Sequence, residues 1–159
     1  MARTVTRPPA GAPLRSAALG LAAGGRTSLG MAAPVLSWRT SRAGECRSRL
    51  HTATRVMSII GVALELAGDK LPQAPSRLDR RGVAARVVSA VSGSAVLCRR
   101  DHVAPGLPLL AAALGALTGA YGGAAWRAWA ADRMPAWQGA LVEDVVVLGL
   151  AGSAVSGGE

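Results

Sequence analysis

The sequence predicts an all-α fold, a polytopic transmembrane bundle of four to five helices that are rich in Ala and Gly. Half of the 159 residues are apolar, yet the chain has no Phe and one Tyr. The run from Val103 to Trp126 contains no charge, and weaker apolar runs alternate with Arg-rich connections. Ala and Gly form a poor core in water, whereas in lipid they let helix backbones approach closely. The composition therefore favours a membrane-embedded fold.

The organisation of the chain is that of one domain. Residues 1–15 are expected to form a basic N-terminal tail, and residues 16–158 a single membrane-embedded helical domain. The net charge is +9, and Lys70 is the only lysine among 18 cations. Because these charges are scattered between apolar runs without interleaved aromatic residues, a nucleic-acid partner is not expected. Arg-rich loops beside apolar segments instead suit a lipid bilayer with anionic head groups.

Five apolar segments are candidate spans. The run from Val103 to Trp126 is long enough to cross a bilayer. The first segment is interrupted by Gly24-Gly25, so it is expected either to cross or to be broken and re-entrant. The bias toward Arg, Ala and Gly is typical of a GC-rich bacterial genome, which predicts a multi-pass protein of the bacterial inner membrane. The four weaker segments are Ser16 to Trp38, Leu50 to Gly68, Gly82 to Cys98 and Gln138 to Gly158.

Alternation of five spans assigns each connection to one of two faces. The N-terminal tail, the Asp69–Arg81 loop and the Arg127–Trp137 loop fall on one face with nine cations, Arg15 among them. The opposite face, which includes the Arg99–Arg100 turn, has seven cations. The positive-inside rule therefore leaves the orientation open.

The strongest segment carries a glycine-zipper pattern. Gly115, Gly119 and Gly123 recur every four residues and so line one face of a helix. Such small-residue stripes mark close helix packing in membranes. The contact could lie within one chain or between the copies of a homo-oligomer.

Several ionisable residues lie inside or at the ends of the apolar segments. Arg26 is the deepest, and a charge at that depth should face the bundle and meet a carboxylate or helix carbonyls. Glu143 and Asp144 are adjacent, so they cannot both point at the same partner. The group is interpreted either as structural ion pairs or as a one-sided polar vestibule for a small solute, proton or cation. The candidate residues are Glu65, Asp69, Lys70, Arg77, Arg86, Glu143, Asp144 and Arg26.

Motifs for catalysis or cofactor binding are not found. The sequence has no nucleophile–base pair, phosphate loop or dinucleotide fingerprint, so no catalytic residue, no cofactor and no enzymatic activity are expected. Two Cys/His pairs, Cys46 with His51 and Cys98 with His102, offer four ligands. Their spacing matches no standard zinc finger, so no metal site is expected.

The stretch from Glu65 to Arg77 resembles the signature E-L-x-x-D-K-x-P-x-x-P-S-R of a bacterial membrane family, domain of unknown function (DUF) 4126. The resemblance extends over about residues 16 to 155. The other elements that resemble the family pattern are Gly25-Arg26 with Pro34, Gly82 to Arg86, the glycine stripe and the pair Glu143-Asp144.

The resemblance implies a helical membrane protein and brings no known activity. Ala90 stands where the family pattern has a Gly, and the Arg-rich Arg39–Arg49 loop also departs from the pattern. The function expected from the sequence is therefore that of an integral membrane protein that handles a small solute, proton or cation. The alternative is a structural or assembly role.

Overall fold

All regular structure in the described part of the chain is helical. The computed structural model describes residues 11–37, 52, 54–62 and 79–156. The all-α class is confirmed for these residues, and α4, α5 and α6 are each long and apolar enough to cross a membrane. The full count of four to five spans stays a prediction. The helices are α1 (Gly11–Gly25), α2 (Thr27–Ser37), α3 (54–62), α4 (Arg80–Arg100), α5 (Gly106–Ala131) and α6 (Ala136–Ser156).

The first apolar segment is broken at Arg26, directly after the predicted break at Gly24-Gly25. Arg26 is the only non-helical residue between α1 and α2. Ala22 of α1 packs in one cluster with Leu29 of α2. Leu19, one turn earlier in α1, belongs to a second cluster, and Ala33, one turn later in α2, packs against both clusters. The two helices therefore run antiparallel and form a hairpin, with Arg26 at its tip. Two consecutive glycines favour a break because glycine has low helix propensity.

The hairpin is packed among the three long helices. α1 contacts α4, α5 and α6, and seven of its fifteen residues are buried. Ser89 of α4 donates a hydrogen bond to the Thr27 carbonyl near the tip, and Arg100 lies 3.5 Å from the Ser37 hydroxyl at the other end of α2. α2 is therefore parallel to α4, and α1, which occupies the centre, is parallel to α5.

Bare glycine backbones bring α1 and α5 together. A Cβ atom at Gly115 would lie 2.5 Å from the Ala17 carbonyl oxygen, and one at Gly24 would lie 2.5 Å from that of Ala116. Gly119 faces Gly24 in the same contact, whereas a Cβ atom at Gly123 would meet Glu143 Oε1 at 3.6 Å. Most of the stripe expected in α5 is thus used in an intrachain helix contact.

The hairpin changes the assignment of the faces. Arg15 lies 2.7 Å from Asp101 and donates a hydrogen bond to the Ala154 carbonyl near the end of α6. We call this end of the bundle the Asp101 end. The opposite end, where α5 stops and α6 begins, is called the Arg133 end. The prediction that Arg15 shares a face with the Arg127–Trp137 loop is wrong, because α2 returns the chain to its starting end. Arg15 also belongs to α1, which begins at Gly11, and not to a separate tail.

The end of α2 and the start of α4 lie at opposite ends of the bundle. Ser37 lies at the Asp101 end, beside Arg100, whereas α4 begins at Arg80 at the Arg133 end. At 1.5 Å per residue these ends are about 30 Å apart. In the chain, α3 comes between these two helices. Val62 of α3 packs against the cluster that contains Ala22 and Leu29 near the hairpin tip.

Candidate functional site

An ion pair fixes the tip of the hairpin. Arg26 is 4% exposed, and its Nε and Nη2 atoms donate to Asp144 Oδ1 at 3.0 and 2.5 Å. Arg26 lies between the C-terminus of α1 and the N-terminus of α2. The helix dipole favours a cation at the C-terminus of α1 and an anion at the N-terminus of α2. The pair therefore complements the charge of both helix ends. Asp144 lies about 12 Å along α6 at 1.5 Å per residue, well inside the helix.

A second ion pair lies beside the first. Glu143 is 6% exposed and accepts a hydrogen bond from Arg127 Nε at 2.5 Å. Since neighbouring residues on a helix point about 100° apart, Glu143 and Asp144 reach different helices. Asp144 therefore ties α6 to the hairpin tip, and Glu143 ties α6 to α5. The two acids take separate arginine partners, as their spacing predicts.

Arg127 was not among the expected site residues. The sequence places it in a loop after Trp126, but α5 continues to Ala131. A signal was present, because Gly119, Gly123 and Arg127 continue the four-residue spacing of the glycine stripe. Residues at that spacing share one helix face. Arg127 therefore follows Gly123 toward Glu143, where the glycine leaves room for the carboxylate.

Arg86 of α4 lies close to the hairpin tip. It is buried, and Ser89, three residues later, donates a 2.6 Å hydrogen bond to the Thr27 carbonyl. Glu65, Asp69, Lys70 and Arg77 lie outside the described residues. The predicted convergence of these four with Arg86 and the α6 acids therefore stays a prediction. In the described residues the structure brings Arg26 to Asp144 and adds Arg127 to Glu143.

A cavity of about 410 Å³ lies between α5 and α6, next to Glu143. Leu21 and Gly25 of α1 form its floor, Gly122 and Trp126 one wall, and Val142 and Val146 the other. We call it the α5–α6 groove, because Gly122, Val142 and Val146 are exposed and leave it open at the bundle surface. Glu143 is the one ionisable residue among the described residues that line it. The groove is therefore apolar and differs from the predicted polar vestibule.

The hairpin tip itself is closely packed. A cavity of about 10 Å³ lies beside Arg26 and Asp144 and is lined by Leu29, Val62 and Val147. That volume is near the lower limit for one water molecule. The cavity beside the pair therefore has room for no more than about one water molecule, and the Asp144 side chain itself is partly exposed.

No family model, curated protein or solved structure matches the chain.

Proposed function

We propose that the chain is a multi-pass membrane protein with a re-entrant hairpin. In this proposal α4, α5, α6 and the segment that contains α3 cross the bilayer, and α1 and α2 enter and leave at the Asp101 end. The antiparallel packing of α1 on α2 supports a re-entrant first segment, because both outer ends of the hairpin lie at the Asp101 end. Irregular backbone such as Arg26 is tolerated at membrane depth where it is buried in protein.

Single cysteines introduced into a variant without Cys46 and Cys98 test the topology. We expect Gly11→Cys and Arg99→Cys to react with an impermeant maleimide from the same side of sealed vesicles. Asp132→Cys, in the turn after α5, should react from the opposite side. All three positions are exposed, so access to each thiol depends on sidedness. Reaction of Gly11→Cys from the side of Asp132→Cys would instead show that the first segment crosses.

We infer that the two ion pairs at the hairpin tip handle a small solute, proton or cation. The observation that carries this proposal is the contact of Arg26 with Asp144 at a helix break inside the bundle. Ionisable residues within membrane helices mark ion paths and proton relays. Broken helices form substrate and ion sites in transporters. The Asp144 side chain is 25% exposed and that of Glu143 is 5%, so Asp144 is the acid that an entering ion meets first.

Flux into proteoliposomes tests this function. Asp144→Asn should abolish uptake of protons, or of a monovalent cation, while the protein reaches the membrane in normal amounts. Asp101→Asn is the matched control, because Asp101 also pairs with an arginine but lies at the other end of the bundle. Equal loss of flux in both variants, or wild-type flux in Asp144→Asn, would contradict the proposal.

A structural or assembly role is the second candidate. It is favoured by the arginine partner that each α6 acid has and by the apolar lining of the neighbouring groove. In that case the pairs fix the position of α6 against the hairpin and α5. The double variant Arg26→Leu with Asp144→Leu would then accumulate and retain the cellular role of the protein. If solute handling is the function, the same variant would accumulate but lose flux.

We also propose that the chain belongs with the DUF4126 family and is bacterial. The support is the signature from Glu65 to Arg77 together with the pair Glu143-Asp144, which lies on the last helix as the family pattern requires.

A further inference from the structure

We propose that the α5–α6 groove binds one acyl chain of a phospholipid whose phosphate lies at Arg133. The proposal rests on the membrane placement of α5 and α6 and is independent of any solute handling. The groove is a surface feature of described residues, with an apolar interior and a cationic, aromatic end. Each of these properties corresponds to one part of a phospholipid.

The size of the groove suits a lipid chain. Its lining extends from Thr118 to Trp126 on α5 and from Val142 to Leu150 on α6. Either stretch is about 12 Å long at 1.5 Å per residue. One leaflet of the hydrocarbon core is about 15 Å thick, half of roughly 30 Å. The groove therefore covers most of one leaflet, and its volume of about 410 Å³ is within the range of small-molecule sites.

The groove exists because three of the five α5 residues that line it are glycines, which fill little space. A Cβ atom at Gly122 would meet nothing within 4 Å, so the space beside this residue is open. α1 separates α5 from α6 at this level, because Leu21 and Gly25 form the floor between them. An apolar cleft that faces the hydrocarbon core is filled most favourably by an apolar chain, since an empty cleft loses dispersion contacts.

The Arg133 end of the groove suits a phosphate group. Trp126 lines the groove and stacks on Trp129, with ring centroids 5.3 Å apart. The Arg133 guanidinium lies over the Trp129 ring at 4.6 Å and donates to the Trp129 carbonyl. Arg127 is paired with Glu143, whereas no carboxylate of the described residues pairs with Arg133. Arginine beside tryptophan is the usual composition of a membrane interface, and guanidinium groups bind phosphate strongly.

Native mass spectrometry of the full chain in mild detergent, titrated with phosphatidylglycerol, tests the proposal. Wild type should retain one lipid, and Gly122→Leu should bind it at least about tenfold more weakly because the leucine fills the groove. Gly149→Leu is the matched control, since it lies on α6 outside the groove and also has open space at its Cβ position. Val142→Trp, with exposed Val145→Trp as its control, repeats the test if Gly122→Leu fails to fold.

The head-group contact has its own test. Arg133→Gln should weaken retention of phosphatidylglycerol but not of diacylglycerol, which has the same chains and no phosphate. Equal retention by Gly122→Leu and Gly149→Leu would overturn the lipid site. A dimer that Gly122→Leu dissociates, with unchanged lipid retention, would also overturn it, because the occupant would then be a second copy of the chain. Loss of flux in Asp144→Asn does not affect these outcomes, so the two proposals fail separately.

Discussion

The contact between α1 and α5 leaves no room for a methyl group at Gly24. A Cβ atom there would lie 2.5 Å from the Ala116 carbonyl oxygen and 2.7 Å from both Ala120 N and Gly119 Cα. Ordinary contacts between heavy atoms are about 3.5–4.0 Å long, so Gly24→Ala must increase the separation of the two backbones by about 1 Å. Overpacking of this kind costs about 1–3 kcal/mol. Helix propensity opposes this cost, because replacing Gly by Ala in a helix contributes about 0.5–1 kcal/mol.

Gly122→Ala separates these two effects. It makes the same substitution on α5 at a position where the Cβ atom meets nothing within 4 Å, so only the propensity gain remains. We expect the free energies of unfolding of the two variants to differ by about 1–3 kcal/mol, with Gly24→Ala the less stable. For a chain of this size the difference corresponds to about 2–12 °C in Tm. Thermal unfolding in mild detergent, followed by circular dichroism, measures it. Equal Tm values for the two variants would refute the close α1–α5 packing.

Two further predictions concern buried polar contacts. Arg26→Met should lower the free energy of unfolding by about 3–5 kcal/mol, because Asp144 loses a buried partner, and adding Asp144→Leu should recover most of the loss. Denaturant titration in micelles measures the free energies of unfolding of both variants. A double variant that is no more stable than Arg26→Met would contradict the coupling between Arg26 and Asp144. Ser94→Ala breaks a 2.8 Å hydrogen bond to the Ser16 hydroxyl inside the bundle and should cost about 0.6–1.7 kcal/mol. If adding Ser16→Ala to Ser94→Ala lowers the free energy of unfolding by the same amount again, the two hydroxyls do not stabilise each other.

Helix boundaries followed the apolar pattern only in part. The charge-free run from Val103 to Trp126 predicts a helix that stops before Arg127, yet α5 continues to Ala131. A charge ends the apolar run but does not end a helix, because helix ends depend on backbone hydrogen bonding and capping. Long arginine side chains also reach out of an apolar environment while the backbone stays helical. Because the charge of Arg127 was taken to end the helix, Arg127 was assigned to a loop. Its pair with Glu143 was therefore not predicted, although Glu143 itself was expected at the site.

The acids and cations of the site were predictable as residues but not as pairs. Arg26, Glu143 and Asp144 stand out in the sequence because charges inside apolar segments need partners. Which partner each one has depends on how α6 packs against the hairpin and α5. Arg26 and Asp144 are 118 positions apart, so local spacing carries no information on this contact.

The sequence by itself determined the helical class, the apolar character of the long helices and the break after Gly25, because composition and helix propensity act locally. Only the tertiary structure decided the direction in which α2 leaves the break. A Gly-Gly pair permits the chain either to continue across the bundle or to turn back, since both need only a local loss of helix. The turn is fixed by distant contacts, in which α1 packs on the glycine face of α5, α2 packs on α4, and Asp144 holds Arg26 at the tip.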